Sequence, residues 1–374
     1  MSDLIRTIAN LTPDEKAELI AHLKAGKANV PRGAEIDFSR NHEWRFRSDM
    51  PFDLAAVSFE AGDPDPDCVQ IDARAAGVNF RDVMIALRIY PMAPDVPSNM
   101  ASDYAGVVTK VGSRVTRFKP GDHVVAMNIG HVEQGHVREN SHFAKCLNIY
   151  EMCVFHKPKQ LAFVEAALIP TVYLTAWYAL VNCARLERGG TVLIHTATGG
   201  VGLAAIEIAR HIGAKIVATA GTPEKRAYLV ERGIEHVFDS RSSRFAAEMR
   251  SAGIVPDTIL NTLAGDLMLE SLKLLGPFGH FVHIDKKDVA TNAPLPLGYL
   301  IKGLSFHFLD ISLLLRNPRH LESSFAELAS LFEAGSIRPI RYRSYRAAEV
   351  KQAITEMSRG THLGKLVIEY DSAQ

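Results

Sequence analysis

The stretch "HTATGGVGLAA", His195 to Ala205, places three glycines between a β-branched lead-in, Thr191 to Ile194, and an alanine-rich continuation. Strand, tight turn and helix in that order are suited to holding a pyrophosphate against the free backbone N–H groups at a helix start. Gly199 permits the turn, while Gly200 and Gly202 let phosphate approach the backbone and the helix approach the strand. Thr198, Gly199, Gly200, Val201 and Gly202 are therefore candidate cofactor contacts. Ala197 stands where the usual fingerprint has its first glycine, so the motif draws its force from a second strand that follows.

That second strand decides which dinucleotide is expected. Sites for NAD end it with Asp or Glu, about 20 residues after the turn, to bind the ribose 2′-hydroxyl. Here the end reads "VATAGTPEKR", with Thr219, Ala220, Gly221 and Thr222 at the tip and Lys225 and Arg226 within a turn. Small and hydroxyl groups followed by cations suit a 2′-phosphate, so NADPH is expected. Arg241, in "DSRSSR" after the third strand, is a further candidate. The plainer alternative for Lys225 and Arg241 is a solvated surface charge.

Positioning such a turn takes alternating strands and helices. "TVLIHTA", "AKIVATA", "HVFD", "DTILNTL" and "GHFVHID" read as strands separated by helical stretches, the pattern of a parallel sheet covered by helices. Before them, from about residue 35, short β-branched runs are broken by Gly, Pro and Asp, as in "YAGVVTKVGSRVTRFKPGDHVVAM". The last strand, "GKLVIEY", has no place in the parallel unit and is expected to return to this first, β-rich domain. The start, "LTPDEKAELIAHLKAGK", reads as a capped helix from Thr12 to Gly26, ahead of a linker. The expected division is 1–34 helix and linker, 35–164 β-rich domain, 165–309 dinucleotide-binding domain and 310–374 return to the β-rich domain.

The remaining bounds are broad. The 374 residues carry 42 Lys+Arg against 42 Asp+Glu, which points away from nucleic acid and anionic membrane. No apolar run reads as long enough to span a bilayer, and "MSDLIRTIANL" does not read as a signal peptide. The cysteines Cys68, Cys146, Cys153 and Cys183 show no pairing pattern, so a cytoplasmic setting is expected.

The segments "GVNFRDVMIAL", "AGVVTKVGSRVTRFKPGDHV", "IPTVYLTAWYAL", "VLIHTATGGVGLAAIEIARHIGAKIVATAGTPEKR", "ILNTLAG" and "HLGKLVIEY" resemble the enoyl reductases of polyketide synthases and animal-type fatty acid synthases, in the medium-chain dehydrogenase/reductase superfamily. The resemblance covers nearly everything after the N-terminal helix. It implies an α/β fold, with a doubly wound Rossmann sheet inserted in a GroES-like substrate domain. It also implies NADPH-dependent reduction of the 2,3-double bond of an enoyl thioester carried by acyl carrier protein or coenzyme A. A polyketide synthase partner and a homodimer are allowed. Carried over residue by residue, Tyr90, Lys286 and Asp310 are the candidate catalytic groups, and Asn79 and Thr175 the candidate contacts to the nicotinamide half. Arg88 and Met92 around Tyr90, and Asp285 before Lys286, depart from the family pattern. Plainer alternatives stay open: Tyr90 as a wall of the cleft, Asp310 as a helix cap, Asn79 and Thr175 as partners of the backbone.

Zinc-dependent members of the superfamily place a Cys ligand where this chain has "NFRD" and Gly-His-Glu where it has "MASDYAG"; both ligands are missing. His131, Glu133, His136 and His142 crowd one segment, but their spacing fits no tetrahedral scheme, and a polar loop at the cleft mouth is expected instead. No metal is expected. Other open readings are a quinone or enone reductase, a relative that delivers hydride to another activated alkene, and a non-catalytic NADPH-binding synthase partner.

Overall fold

The computed structural model describes residues 36–90, 99–128 and 142–371. The expected N-terminal helix, Met92, and His131, Glu133 and His136 lie outside the described residues. Fifteen strands are described, numbered here in chain order. His42–Phe46 (β1) and Leu54–Ser58 (β2) form an antiparallel pair. Cys68–Val78 (β3), Asp103–Val111 (β4), His123–Met127 (β5), Cys146–Tyr150 (β6) and Val154–His156 (β7) build most of a seven-stranded sheet. Thr191–Ile194 (β8), Lys215–Ala220 (β9), His236–Asp239 (β10), Thr258–Asn261 (β11), His280–His283 (β12) and Ser305–Phe308 (β13) form a second, wholly parallel sheet. Tyr342–Arg346 (β14) and Lys365–Glu369 (β15) go back to the first sheet, where β15 pairs antiparallel with β3.

The parallel sheet runs β10-β9-β8-β11-β12-β13. The order reverses at β8, which makes the crevice beyond the C-terminal ends of β8 and β11 the place for a ligand. The helix Gly200–Ile212 (α1) leaves β8 and is apolar nearly all round, because it is covered by the sheet on one side and by the stretch 163–183 on the other. β13 went unread in the sequence and is the sixth strand, at the sheet edge. Its alternation, Ser-Phe-His-Phe, is a strand signal, but half-burial on both faces leaves no strong apolar run.

One expectation is corrected. Phe163–Cys183, 21 residues, is by length and composition apolar enough to cross a membrane, with a mean hydropathy of 1.4 over its most apolar window. However, 72% of its apolar window is buried inside the protein, where Leu168, Ile169, Tyr173 and Leu174 join the core. It is the central core helix between the two sheets.

Two core histidines set an acid limit. His195 is enclosed between Thr219 Oγ1 and Ser271 Oγ, each 2.9 Å from a ring nitrogen. The Ser271 hydroxyl donates to the Leu267 carbonyl, so it accepts from His195 Nε2–H, and Thr219 donates to Nδ1. His142, from the proposed polar loop, is instead buried against Phe46 and accepts the Met100 N–H on Nδ1 at 3.1 Å. Burial pushes both imidazoles down to about 3, helped for His142 by Arg88 and Arg81. Below pH ~6.5 the unfolded chain takes up these protons while the folded chain does not, so stability is lost as pH falls. Between pH 7 and pH 5 each histidine should cost about 2 kcal/mol. Urea unfolding midpoints at the two pH values check this, and an unchanged midpoint overturns it.

Candidate active site

The glycine turn is built by close approach. A side chain at Gly202 would put Cβ 2.6 Å from Ala197 Cα, so only glycine lets α1 start this near β8. Gly199 caps the helix with no side-chain partner for the first N–H groups, which leaves that end available to an anion. Thr196 precedes the turn with φ of 51°, a strained conformation for a β-branched residue. Its hydroxyl lies 2.7 Å from that of Thr262, just beyond β11. This pair at the sheet's switch point was missed in the sequence, where Thr262 stands inside "DTILNTL", a stretch read as a strand.

The opposite wall of the turn comes from the returning chain. Gly364 pairs with Gly199, and its N–H donates to the Thr198 carbonyl at 2.8 Å. Gly364 has φ of 80°, and a Cβ there would run into the Arg341 carbonyl oxygen, so no other residue fits. At the far end of β9 the expected cations divide. Arg241 lies over Gly221, its Nε 2.8 Å from where a Cβ would be. Arg226 donates to the Ala220 carbonyl at 3.2 Å and pairs with Asp239 at 3.5 Å. Lys225 turns inward and donates to the Gly360 carbonyl at 2.8 Å; burial, with Arg241 nearby, lowers its pKa. Thr219 is fully buried against His195. Thr219 is thus committed to the His195 network, while Lys225 and Arg226 each hold a carbonyl of the protein at the strand tip. The free glycine cradle and helix start, with Arg241 and Arg226 at the second strand's end, fit a phosphorylated dinucleotide.

Tyr90, Lys286 and Asp310 converge. Lys286 follows β12 and Asp310 follows β13, so both stand at C-terminal strand ends, while Tyr90 reaches in from the first domain. Lys286 Nζ donates to Tyr90 Oη at 2.9 Å and to Asp310 Oδ2 at 2.5 Å. Asp310 Oδ1 accepts from Ser312 N–H and Oγ, so the cap reading and the pairing reading both hold, one on each oxygen. Burial works to lower the Lys286 pKa, but Tyr90 and Asp310 outweigh it and raise the pKa. For Asp310 burial works upward and loses to Lys286 and Ser312, which hold the carboxyl below its usual range. Both groups therefore stay charged at neutral pH.

Beneath this lies a buried polar cluster. Lys365, the second residue past His362-Leu363 in "HLGKLVIEY", donates to Asp103 Oδ2 at 2.8 Å and to Asn79 Oδ1. Asn79 Nδ2 donates to Asp103 Oδ2 at 2.9 Å, and the Thr171 hydroxyl donates to Asp103 Oδ1. Asp82 holds Asn79 N–H at 2.7 Å and Ala101 N–H at 3.1 Å, and burial raises its carboxyl to about 6. Thr175 is buried one helical turn from Thr171.

Comparison with known proteins fits this arrangement. Residues 65–177 match the alcohol dehydrogenase GroES-like domain, and residues 232–368 match the zinc-binding dehydrogenase family. The phthioceranic/hydroxyphthioceranic acid synthase of Mycobacterium tuberculosis (strain ATCC 25618 / H37Rv) is 38% identical over 330 residues, 87% of this chain and 15% of that protein. The chain thus spans a small part of the curated relatives it matches. Among solved structures, the CurF ER cyclopropanase of the curacin A pathway is 28% identical with a TM-score of 0.78, and the CurK enoyl reductase 29% with 0.75. Escherichia coli quinone oxidoreductase complexed with NADPH is 25% identical with a TM-score of 0.75; each similarity covers 88% of this chain and 99% of the other. The chain belongs to the medium-chain dehydrogenase/reductase superfamily. Within it, the chain is similar to highly reducing polyketide synthases and to solved enoyl reductases.

The zinc in one family description does not fit these residues. The oxygens of Asn79 and Asp103 already face the Lys365 ammonium, so the chain supplies its own cation at that point. Ser102 Oγ is 3.2 Å from the Arg81 guanidinium, which donates to it. Among the described residues no three His, Cys, Asp or Glu side chains gather as a metal site.

Proposed function

We propose that the protein reduces the 2,3-double bond of an enoyl thioester with NADPH, in the setting of a polyketide synthase. The observation that carries this reading is the Lys286–Tyr90–Asp310 cluster: a charged ammonium bonded to a phenol at the strand ends beside the glycine turn. The turn residues Thr198 to Gly202 would hold the pyrophosphate, and Arg241 and Arg226 the 2′-phosphate. Similarity to a quinone oxidoreductase complexed with NADPH supports the cofactor. Bound there, NADPH would supply hydride to Cβ of the thioester.

Negative charge then collects on the thioester oxygen and a proton must reach Cα. Lys286 has three N–H donors and spends two on Tyr90 and Asp310, which leaves one for the enolate oxygen. Tyr90 accepts from Lys286, so its own O–H is free to point at substrate. Asp310 keeps Lys286 oriented and charged. With two donors available and solvent near the cleft mouth, no one group is the sole acid. A sole acid is worth ~10²–10⁴-fold. Tyr90→Phe and Lys286→Ala should each lose less than that with an α-methyl enoyl thioester, while the configuration at Cα becomes mixed. A larger loss confined to Lys286→Ala would make Lys286 the acid.

The reading itself is tested with pure protein, NADPH or NADH, and a panel of crotonyl, longer enoyl and quinone acceptors. Enoyl thioesters reduced faster with NADPH than with NADH are expected. Turnover of quinones alone, or nucleotide binding with no turnover, overturns it. Carriage of the substrate on an acyl carrier protein belongs to the same proposal, supported by similarity to highly reducing polyketide synthases.

A further inference from the structure

The buried cluster around Lys365 does more than join two sheets. Asn79 is only 8% exposed, and both ends of its amide are fixed by opposite charges. Its oxygen accepts from the Lys365 ammonium, and its Nδ2 donates to the Asp103 carboxylate. Turning the amide over would set an N–H donor against an ammonium and an oxygen against a carboxylate, so the orientation is locked electrostatically. Among the described residues Nδ2 donates only to Asp103, which leaves its second hydrogen.

The lock is registered to the cofactor turn by covalent continuity. Gly364, the neighbour of Lys365, donates to the Thr198 carbonyl and pairs with Gly199. The Lys365 stem runs past Gly200, its Cδ 3.4 Å from where a Cβ would stand. Asp103 is tied in turn to Thr171, one turn from Thr175. One 2% exposed lysine therefore connects the pyrophosphate turn to the amide at the start of Phe80–Ala86.

We infer that Lys365 is a positioning residue for hydride transfer: through Asp103 it fixes, relative to the glycine turn, the Asn79 amide, the candidate contact to the nicotinamide half of the cofactor. This rests on the NADPH reading above. The ammonium would act through Asn79, without touching substrate.

The experiment compares Asn79→Ala, which leaves the Lys365–Asp103 pair intact, with Lys365→Met and Lys365→Arg. For each, the NADPH dissociation constant, kcat, KM and the primary isotope effect with C4-deuterated NADPH are measured. A misplacement of about 1 Å costs about 10²-fold in rate. Asn79→Ala and Lys365→Met should lower kcat by about 10- to 100-fold and raise the isotope effect, with NADPH affinity within about threefold, and Lys365→Arg should restore most of the rate. If Lys365→Met does not fold, Asn79→Ala decides. Rates within threefold of wild type, or losses confined to nucleotide affinity with an unchanged isotope effect, overturn the inference. The isotope effect is read on whichever acceptor the wild-type enzyme reduces, thioester or quinone, so failure of enoyl reduction alone overturns the proposed function and leaves this inference standing or falling by its own result. A wild-type enzyme that reduces none of these acceptors with NADPH overturns both.

Discussion

Gly202→Val should abolish dinucleotide binding. The new Cβ would lie 2.6, 2.7 and 2.8 Å from Ala197 Cα, carbonyl carbon and oxygen, all of them backbone. That backbone cannot give way cheaply, because Ala197 N–H donates to the Thr219 carbonyl at 2.9 Å and His195 N–H to the Leu260 carbonyl at 3.1 Å. The turn is thus pinned to β9 and β11, and relief requires moving the start of α1, the part that would meet phosphate. Overpacking of this kind costs about 1–3 kcal/mol. We expect the NADPH dissociation constant to rise at least ~100-fold, equivalent to about 2.7 kcal/mol of lost binding. A fluorescence titration reads it directly, and affinity within about threefold of wild type would refute the assignment of this turn.

Asp103→Ala should be the most destabilising single change at the site. Asp103 is fully buried and accepts from Lys365, Asn79 and Thr171. Removing it strands the Lys365 ammonium, itself buried, with only the Asn79 oxygen. Breaking a buried pair from one side costs about 3–5 kcal/mol, whereas replacing both members by apolar groups is often neutral. The double variant Asp103→Leu/Lys365→Met should therefore recover much of the loss. Denaturant midpoints for the single and double variants test both halves; a single variant within about 1 kcal/mol of wild type would show that the pair carries little.

Local signals were the legible part of this chain. The strands of the parallel sheet up to β12 follow from apolar runs between helical stretches, and the turn from three glycines after such a run. What local pattern cannot give is the direction of a side chain. Lys225 stands where the sequence puts it, one turn past β9, yet its ammonium reaches Gly360 in the returning chain. Thr219 is in the expected strand, but it belongs to the His195 network. Tyr90, Lys286 and Asp310 come from three distant segments and were named through resemblance; their hydrogen bonds needed the fold. The Asp103–Lys365 pair did leave a trace. Asp103 opens one strand, in "ASDYAGVV", and Lys365 opens the other, in "GKLVIEY", each buried among apolar residues and of opposite sign, while the strands' other charges, Lys110 and Glu369, lie exposed near their far ends. Buried charges need partners, so the two strands could have been matched on that ground.

The return of β15 to β3 also sets an order of assembly during synthesis. Val78 pairs with Leu366, and every strand of the parallel sheet is translated between them. The parallel sheet can form while the Ala75–Val78 half of β3, beyond its pairing with β6, still lacks a neighbour on one side, and that edge must wait for β15. The same returning segment carries Gly364 and Lys365, so the opposite wall of the glycine turn and the Lys365–Asp103 pair both form with that closure.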